Sequence, residues 1–156
     1  MVTKNEGLIH LGTLAKQAAA QLATASSEAK NHALLAMAAA LEKGSDKILA
    51  ANALDMAAER EKGQPAAILD RLLLTQDRIA DMADGLRSLA ALEDPIGKVD
   101  KMWYGAQHIQ IGKMRVPLGV VGVIYEARPN VTSDVAGICL KTGNAVILRG
   151  SASAIH

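Results

Sequence analysis

The stretch that decides the fold is Arg115-Val-Pro-Leu-Gly-Val-Val-Gly-Val-Ile-Tyr-Glu-Ala-Arg-Pro-Asn130, which is followed by Thr142-Gly-Asn-Ala-Val-Ile-Leu-Arg-Gly-Ser151. Residues 120–124 and 145–148 are almost wholly apolar and rich in β-branched side chains, which predicts strands covered by helices on both faces. Between them, residues 130–134 offer capping groups before an apolar helical segment. The sequence therefore predicts a parallel βαβ unit with a right-handed crossover helix.

This unit predicts an α/β fold that opens a Rossmann-like, nucleotide-binding sheet. An open sheet of this kind has more than two strands, so we expect it to be incomplete in this chain. Residues 118–156 are predicted to be the truncated start of the parallel sheet. Residues 107–117 are predicted to form a β-hairpin that turns at Gly112-Lys113 and supplies oligomerisation strands. Residues 1–106 are expected to be the mainly helical part of the cofactor-binding domain.

The helical part is predicted from apolar residues at three- and four-residue spacing and from capping residues at the helix ends. The first helix is expected over residues 7–25, and Ser26 and Ser27 can cap the second. Gly44 suits a left-handed end of that helix, and Ser45 can cap a third. Two further helices are expected, a short one after Pro65 and a longer one after Thr75. Another helix is expected to begin at Ser151.

Composition narrows the class of protein without indicating its chemistry. Half of the 156 residues are hydrophobic, and with no Phe, one Trp and two Tyr the core must be aliphatic. The net charge of +1 comes from interspersed charges, so we expect neither nucleic acid nor a membrane as partner. The N-terminus lacks the apolar core of a signal peptide, which favours a cytoplasmic protein. The single cysteine, Cys139, and four scattered histidines predict no disulfide framework and no metal site.

Several short motifs occur along the chain in a recognisable order and spacing. They are Leu49-Ala-Ala-Asn52 with Asp55, Leu69-Asp-Arg-Leu72, residues 82–86, Asp94-Pro-Ile-Gly97, the block from Arg115 to Asn130, and Gly143-Asn-Ala-Val-Ile-Leu-Arg-Gly150. Together they resemble the N-terminal part of the gamma-glutamyl phosphate reductase (glutamate-5-semialdehyde dehydrogenase) family of the aldehyde dehydrogenase superfamily. Members of that family are considerably longer, so the chain is expected to be an N-terminal fragment.

The resemblance implies a reaction and partners. The family reduces L-glutamyl 5-phosphate with NADPH, giving L-glutamate 5-semialdehyde and phosphate in proline biosynthesis. A cysteine thiolate attacks the acyl phosphate, and hydride from the cofactor reduces the resulting thioester. Full-length members are expected to form homo-oligomers, and glutamate 5-kinase is a candidate partner.

Local chemistry alone favours an Asx turn or a helix cap for Asn130, whereas the resemblance implies that it is the superfamily asparagine that helps to hold the oxyanion. Arg149 matches a basic residue that contacts the cofactor ribose and, in NADP users, the 2′-phosphate; otherwise it is an ordinary charged strand end. Gly150 and Ser151 would let the backbone approach the cofactor and supply a hydroxyl, or would simply form a turn.

Tyr125 and Glu126 lie at the end of the first parallel strand, where sheets of this class bind ligands, and are cofactor-site candidates. Arg128 could assist an anionic substrate or a cofactor phosphate, or pair with Glu126. Cys139 lies in the apolar middle of the crossover helix, so we interpret it as a small buried side chain. The family nucleophile lies downstream of every motif present.

The chain contains no G-x-G-x-x-G fingerprint, so we expect weak NADPH binding, and without the nucleophile we expect no activity of these residues alone. Two alternatives remain at this point. One is a non-catalytic binding module that adds its hairpin to a partner by strand pairing. The other is a reductase of the same superfamily with a different acyl substrate.

Overall fold

The computed structural model describes residues 4–156 and contains six α-helices, a short 3₁₀ turn and four strands. The elements, in chain order, are α1 (Lys4–Leu22), α2 (Ser27–Lys43), α3 (Ser45–Glu61), α4 (Ala66–Leu72), α5 (Gln76–Ala91), β1 (Val99–Tyr104), the 3₁₀ turn (Ala106–His108), β2 (Gln110–Met114), β3 (Val120–Ile124), α6 (Pro129–Lys141) and β4 (Ala145–Arg149). The predicted α/β architecture of helices, an antiparallel hairpin and a parallel strand pair is therefore confirmed. The division of the chain into three parts stays a prediction, and residues 1–3 of the first part lie outside the described residues.

The helix boundaries follow the capping residues, with one correction. Ser26 and Thr75 accept hydrogen bonds from the N–H groups of Ala29 and Arg78, as N-cap side chains do. Gly44, however, has φ −91° and does not adopt the left-handed conformation that we predicted. The reason is that α3 begins at the next residue, so Gly44 ends α2 and begins α3 in a single right-handed turn.

The main core lies where α2, α5 and α6 pack together. Leu34 and Ala38 of α2 meet Ala83, Leu86 and Ala90 of α5, and all five side chains are buried. Burying one leucine side chain contributes roughly 1.5–3 kcal/mol, so this aliphatic cluster holds the three helices in place. The position of α6 within the cluster in turn fixes where β3 and β4 end.

Two buried lysines fasten the C-terminal end of α5. Lys141 is 2% exposed, and its ammonium group donates to the carbonyl oxygens of Ala90 (3.0 Å) and Leu92 (2.6 Å) and to the side chain of Asn31 (2.6 Å). Cations are favoured beside a helix C-terminus because its last carbonyl groups carry partial negative charge. These bonds join α6, α2 and α5 at one point.

The second buried lysine, Lys30, forms an ion pair with Asp94, which also accepts hydrogen bonds from Ser27 (2.7 Å) and from the N–H of Ile96 (3.0 Å). Burial acts to raise the pKa of Asp94, but the hydrogen bonds from Lys30, Ile96 and Ser27 outweigh it, so the pKa lies below its usual value. The Asp94-Pro-Ile-Gly97 motif thereby ties the segment after α5 to the start of α2.

The antiparallel hairpin is present, but the predicted strand positions are wrong. Strands β1 and β2 pair from Val99 with Met114 to Tyr104 with Gln110, and Gly112 lies inside β2 opposite Met102. The turn is made by residues 105–109, which include Gln107 and His108 at φ 59°. The residues that we predicted to form both strands of the hairpin, 107–117, instead contain part of the turn and the whole second strand, β2. The first strand, Val99–Tyr104, falls in the part that was predicted to be mainly helical.

Strands β3 and β4 pair in parallel, with Val120 beside Ala145 and Ile124 beside Arg149, which confirms the predicted parallel pair. The expected cover on both faces is not found for β3 in the part of the chain that is described, because Ile124 is 86% exposed and Val120 and Gly122 are exposed as well. The physical reason is that α1 packs over Ala145 and Ile147 of β4 and leaves the outer strand open. After β4 the chain makes turns, not the helix that was predicted to begin at Ser151.

Candidate active site at the carboxyl ends of the parallel strands

A cleft lies where β3 and β4 end and α6 begins. The N–H of Tyr125 donates to the Arg149 carbonyl oxygen (3.1 Å), so the two strands are still joined at the edge of the cleft. Helix α6 starts with Pro129 in its first turn, where a residue without an N–H costs no hydrogen bond. No side chain accepts from the first N–H groups of this helix. Open α/β sheets bind ligands at this end of their strands.

Two cavities flank the start of α6, and Arg128 and Pro129 line both of them. The larger cavity, of about 680 Å³, extends towards α2 and α3 and is lined by Tyr125 and Gly150 among mostly apolar side chains. The smaller cavity, of about 360 Å³, extends towards α4 and α5 and is lined by Asn130 among charged side chains. Their volumes are those of small-molecule sites. The loop from Arg128 to Asn130 therefore separates an apolar cavity from a charged one.

Tyr125 shapes the mouth of the larger cavity. Its hydroxyl lies 2.6 Å from the hydroxyl of Thr132 on α6, which fixes the ring against the helix. A Cβ added to Gly150 would lie 3.4 Å from the end of the tyrosine ring. Glycine at this position thus keeps the backbone after β4 close to the ring.

Asn130 lies in the first turn of α6, and its side chain does not cap that helix. The amide nitrogen donates to a carboxylate oxygen of Asp134 one turn later (3.0 Å). The backbone carbonyl oxygen of Asn130 accepts a hydrogen bond from the Ser133 hydroxyl (2.8 Å), which secures the first turn of the helix. A primary amide carries two N–H groups, so one donor remains for a ligand in the smaller cavity.

The charged candidates around the loop are arranged differently from one of the expected pairings. Glu126 is exposed, and its carboxylate lies 3.8 Å from the Arg71 guanidinium. The sequence suggested that the side chains of Arg128 and Glu126 pair, but only their backbones do: the Arg128 N–H donates to the Glu126 carbonyl oxygen (2.8 Å). Among the described residues, the Arg128 guanidinium has neither a hydrogen bond nor an ion pair. Its positive charge is therefore available to a ligand of either cavity.

Arg149 and Ser151 do not line either cavity. Arg149 is exposed, and its guanidinium donates to the carbonyl oxygen of the next residue, Gly150. The Ser151 hydroxyl accepts from the N–H of Ser153 (3.2 Å) and forms a turn. Both residues are sequence neighbours of Gly150, which lines the larger cavity. Their contacts with a cofactor stay predictions.

The sequence reasoning named Asn52 and Asp55 only as motif residues and missed that they form a buried polar stripe on α3 together with Glu59. Asn52, Asp55 and Glu59 are all buried, and their spacing of three and four residues places them on one helix face. Asn52 donates to the Leu72 carbonyl (2.8 Å) and accepts from the Leu74 N–H (2.8 Å), which holds the α4–α5 connection. The sequence did contain a signal for this stripe, namely polar side chains repeated at three- and four-residue spacing within a helix.

Asp55 and Glu59 of this stripe hold the segment after β4. One Asp55 oxygen accepts from the N–H groups of Ile155 (3.2 Å) and His156 (3.3 Å) and lies 2.7 Å from the His156 ring nitrogen Nδ1. Glu59 forms an ion pair with Lys62 (2.5 Å), and this hydrogen bond lowers the pKa of the carboxyl group. Asp55 and His156 both line the larger cavity, so α3 positions one of its walls.

Cys139 is buried, as expected, and burial raises the pKa of its thiol. A buried thiol with a raised pKa is a poor nucleophile at neutral pH. No group of three or more His, Cys, Asp and Glu side chains within residues 4–156 could hold a metal ion. None of the helices in the same range combines the length and the apolar character needed to span a bilayer.

The parallel strands, the crossover helix and the cleft at the carboxyl edge define an α/β protein of the Rossmann-like class. The chain is 61% identical over 145 residues to a gamma-glutamyl phosphate reductase of Moorella thermoacetica and 60% identical to that of Heliobacterium modesticaldum, in each case over 93% of this chain and 35% of the relative. No family model matches it.

Two solved structures agree with the sequence relatives. The gamma-glutamyl phosphate reductase of Thermotoga maritima superposes with a TM-score of 0.91 at 35% identity, over 94% of this chain and 36% of that one. The gamma-glutamyl phosphate reductase of Saccharomyces cerevisiae superposes with a TM-score of 0.85 at 33% identity, over 90% of this chain and 36% of that one. The chain is thus a homologue of the N-terminal part of gamma-glutamyl phosphate reductases, and it spans about a third of the length of these relatives.

Proposed function

We propose that these residues form one side of the active site of an NADP-dependent reductase that converts L-glutamyl 5-phosphate to L-glutamate 5-semialdehyde and phosphate in proline biosynthesis. The observation that carries the proposal is the position of the loop from Arg128 to Asn130. This loop ends the sequence block from Arg115 to Asn130 on which the family resemblance rests, and it lies between two cavities at the ligand-binding end of the sheet.

In this proposal, Asn130 stabilises the oxyanion that forms when the acyl group is attacked. One amide N–H is held by Asp134, which orients the side chain, and the other is free to donate. A single oriented donor of this kind typically contributes about 3 kcal/mol to the transition state. This orientation is pre-set by the helix, so little reorganisation is needed during the reaction.

The larger cavity fits part of a nicotinamide dinucleotide. Gly150 leaves room for a close backbone approach beside Tyr125, and the exposed guanidinium of Arg149 could exchange its contact with the Gly150 carbonyl for a 2′-phosphate. In this proposal the Ser151 hydroxyl, which follows β4, and the Glu126 carboxylate, which follows β3, contact the ribose. When bound, the cofactor supplies the hydride that reduces the acyl carbon.

The thiol nucleophile of this reaction is not Cys139, because that side chain is buried in α6 and its pKa is raised. The family chemistry therefore needs a cysteine outside these 156 residues. We expect the 156 residues alone to be inactive and to bind NADPH weakly.

The test is to express the complete reading frame that contains these residues and to follow phosphate-dependent reduction of NADP⁺ by glutamate 5-semialdehyde. Activity is expected, with a decrease in kcat of about 10²- to 10³-fold for Asn130→Ala. Asn130→Asp, which keeps the shape but removes the donor, should behave like the alanine variant. Full activity of either variant would refute the role of Asn130, and absence of NADP-linked activity in the wild type would refute the proposed reaction.

We also propose that the hairpin of β1 and β2 mediates self-association. Every residue of both strands is exposed, including Met102, Trp103 and Ile111, and its strand edges are free to pair. Light scattering of wild type and of Trp103→Glu would show a smaller assembly for the variant. A cytoplasmic location and a partnership with glutamate 5-kinase belong to the same proposal and stay predictions.

A further inference from the structure

The smaller cavity carries charges of both signs around a small volume. Its lining includes three arginines and three aspartates together with Asn130; the charged residues are Asp70, Arg71, Arg78, Asp81, Arg128 and Asp134. A cavity built only to exclude water from a reacting group would be apolar. Charges of both signs can complement a ligand that itself carries both signs.

Some of these charges are already neutralised within the protein. Arg78 donates to the Asp70 carboxylate (2.8 Å) and to the Leu73 carbonyl (2.7 Å), so this pair builds the wall between α4 and α5. Arg71 lies 3.8 Å from Glu126, and both side chains are exposed. These residues form the frame of the cavity and leave the remaining charges to face a ligand.

The remaining charges are Arg128, Asp81 and Asp134. Within residues 4–156, the guanidinium of Arg128 and the carboxylate of Asp81 have no hydrogen bond or ion pair, and Asp134 has only the amide of Asn130 as partner. One cation and two anions thus line the cavity without a charged partner of their own, and Arg128 and Asp81 are exposed. An ammonium group would be bound by the two carboxylates, and a carboxylate by the guanidinium.

We propose that this cavity binds the α-amino-acid end of the substrate, with Asp81 and Asp134 holding its ammonium group and Arg128 its carboxylate. This inference rests on the proposed function, because it assigns the non-reacting end of the same substrate.

The spacing along α6 agrees with this assignment. Asn130, the proposed oxyanion donor, and Asp134 are four residues apart on α6, and the Asn130 amide nitrogen lies 3.0 Å from a carboxylate oxygen of Asp134. The four covalent bonds between a glutamyl side-chain carbonyl carbon and the α-nitrogen span about 5 Å when extended. Because each hydrogen bond adds about 3 Å between protein and ligand atoms, a substrate of this length beside the first turn of α6 can reach Asn130 with its carbonyl group and Asp134 with its ammonium group.

The experiment compares three aldehydes on the complete enzyme, in the oxidative direction with NADP⁺ and phosphate. Glutamate 5-semialdehyde carries both charged groups, 5-oxopentanoate lacks the ammonium group, and 4-aminobutanal lacks the carboxylate. The readout is the ratio of kcat/KM between two aldehydes for one enzyme preparation. This ratio does not depend on the fraction of folded enzyme.

Asp81→Asn and Asp134→Asn should each reduce the preference for glutamate 5-semialdehyde over 5-oxopentanoate about tenfold, since each removes a charge-assisted contact to the ammonium group. Arg128→Gln should instead reduce the preference over 4-aminobutanal by a similar factor. Asp84→Asn is the matched control, because Asp84 lies on α5 as Asp81 does but pairs with Arg87 outside the cavity. Its ratios should equal those of the wild type.

The outcomes separate this inference from the function on which it rests. An active wild type whose substrate ratios are unchanged in all three cavity variants overturns the inference and leaves the proposed reaction standing. A wild type without NADP-linked activity on any of the three aldehydes overturns both. Asn130→Ala provides a further check on the proposed reaction, since it should lower kcat for all three aldehydes.

Discussion

Two helical glycines, Gly85 in α5 and Gly137 in α6, should respond in opposite directions to the same substitution. A Cβ added at Gly85 would meet no atom within 4 Å, whereas one at Gly137 would lie 2.6 Å from a methyl of Leu86 and 3.1 Å from one of Leu89. Leu86 is almost fully buried, so it has little room to move aside. The two positions therefore differ in packing and share the same local helical conformation.

The magnitudes follow from two opposing effects. Replacing glycine by alanine in a helix interior favours folding by about 1 kcal/mol. Inserting a methyl group into a close-packed core costs typically about 1–3 kcal/mol. Gly85→Ala should therefore stabilise the protein by about 1 kcal/mol. Gly137→Ala should be neutral or destabilising by up to about 2 kcal/mol, because the packing cost offsets or exceeds the gain in propensity.

Urea unfolding followed by circular dichroism measures both variants, with the slope of the transition as a check that the unfolded state is unchanged. The difference between the two free energies of unfolding, about 1–3 kcal/mol, is the packing cost itself, since the helix propensity effect cancels. If Gly137→Ala proved as stabilising as Gly85→Ala, the close packing of α6 against α5 would be wrong.

Three further predictions concern buried polar groups. Lys141→Met should destabilise the protein by about 3 kcal/mol in urea unfolding, because it leaves buried acceptors without a donor. The exposed control Lys43→Met should change the free energy of unfolding by less than about 0.5 kcal/mol. Equal effects of the two substitutions would contradict the anchoring role of Lys141. The pKa of Asp94 is lowered in the folded state, so the stability that this carboxylate contributes above pH 3.8 should be lost as the pH falls below that value. Asp94→Asn should flatten this part of the profile of unfolding free energy against pH. An unchanged slope at acid pH would refute the contribution of Asp94. Asp55→Ala should increase hydrogen exchange at the backbone amides of the last two residues while leaving exchange in α5 unchanged, as mass spectrometry of short peptides can show.

Local features were predictable because their signals come from neighbouring residues. Ser26 and Thr75 cap helices through hydrogen bonds that reach only three residues ahead. The parallel strands were predictable from continuous apolar runs. The hairpin was misplaced because β1 has no clear alternation of its own, and its pairing with β2 sets which residues form the turn.

The candidate site was predictable only in part. The sequence indicated the loop from Arg128 to Asn130, but no local pattern showed that Asp81 of α5 and Asp134 of α6 line the same cavity. Likewise, Asp55 and the backbone of Ile155 are 100 residues apart in the chain. Such contacts depend on how helices pack, which adjacent residues do not encode by themselves.

The sequence by itself determined the helices before β1, the two parallel strands with their crossover helix, and the family that they resemble, since backbone preferences, caps and apolar runs act over a few residues. The tertiary structure alone decided that Gly137 is packed and Gly85 is not, that Lys141 is an anchor, and that charges from α5, α6 and the loop before α6 face one cavity. The physical reason is that burial and charge pairing are properties of surfaces brought together by folding, and each surface draws its residues from distant parts of the chain.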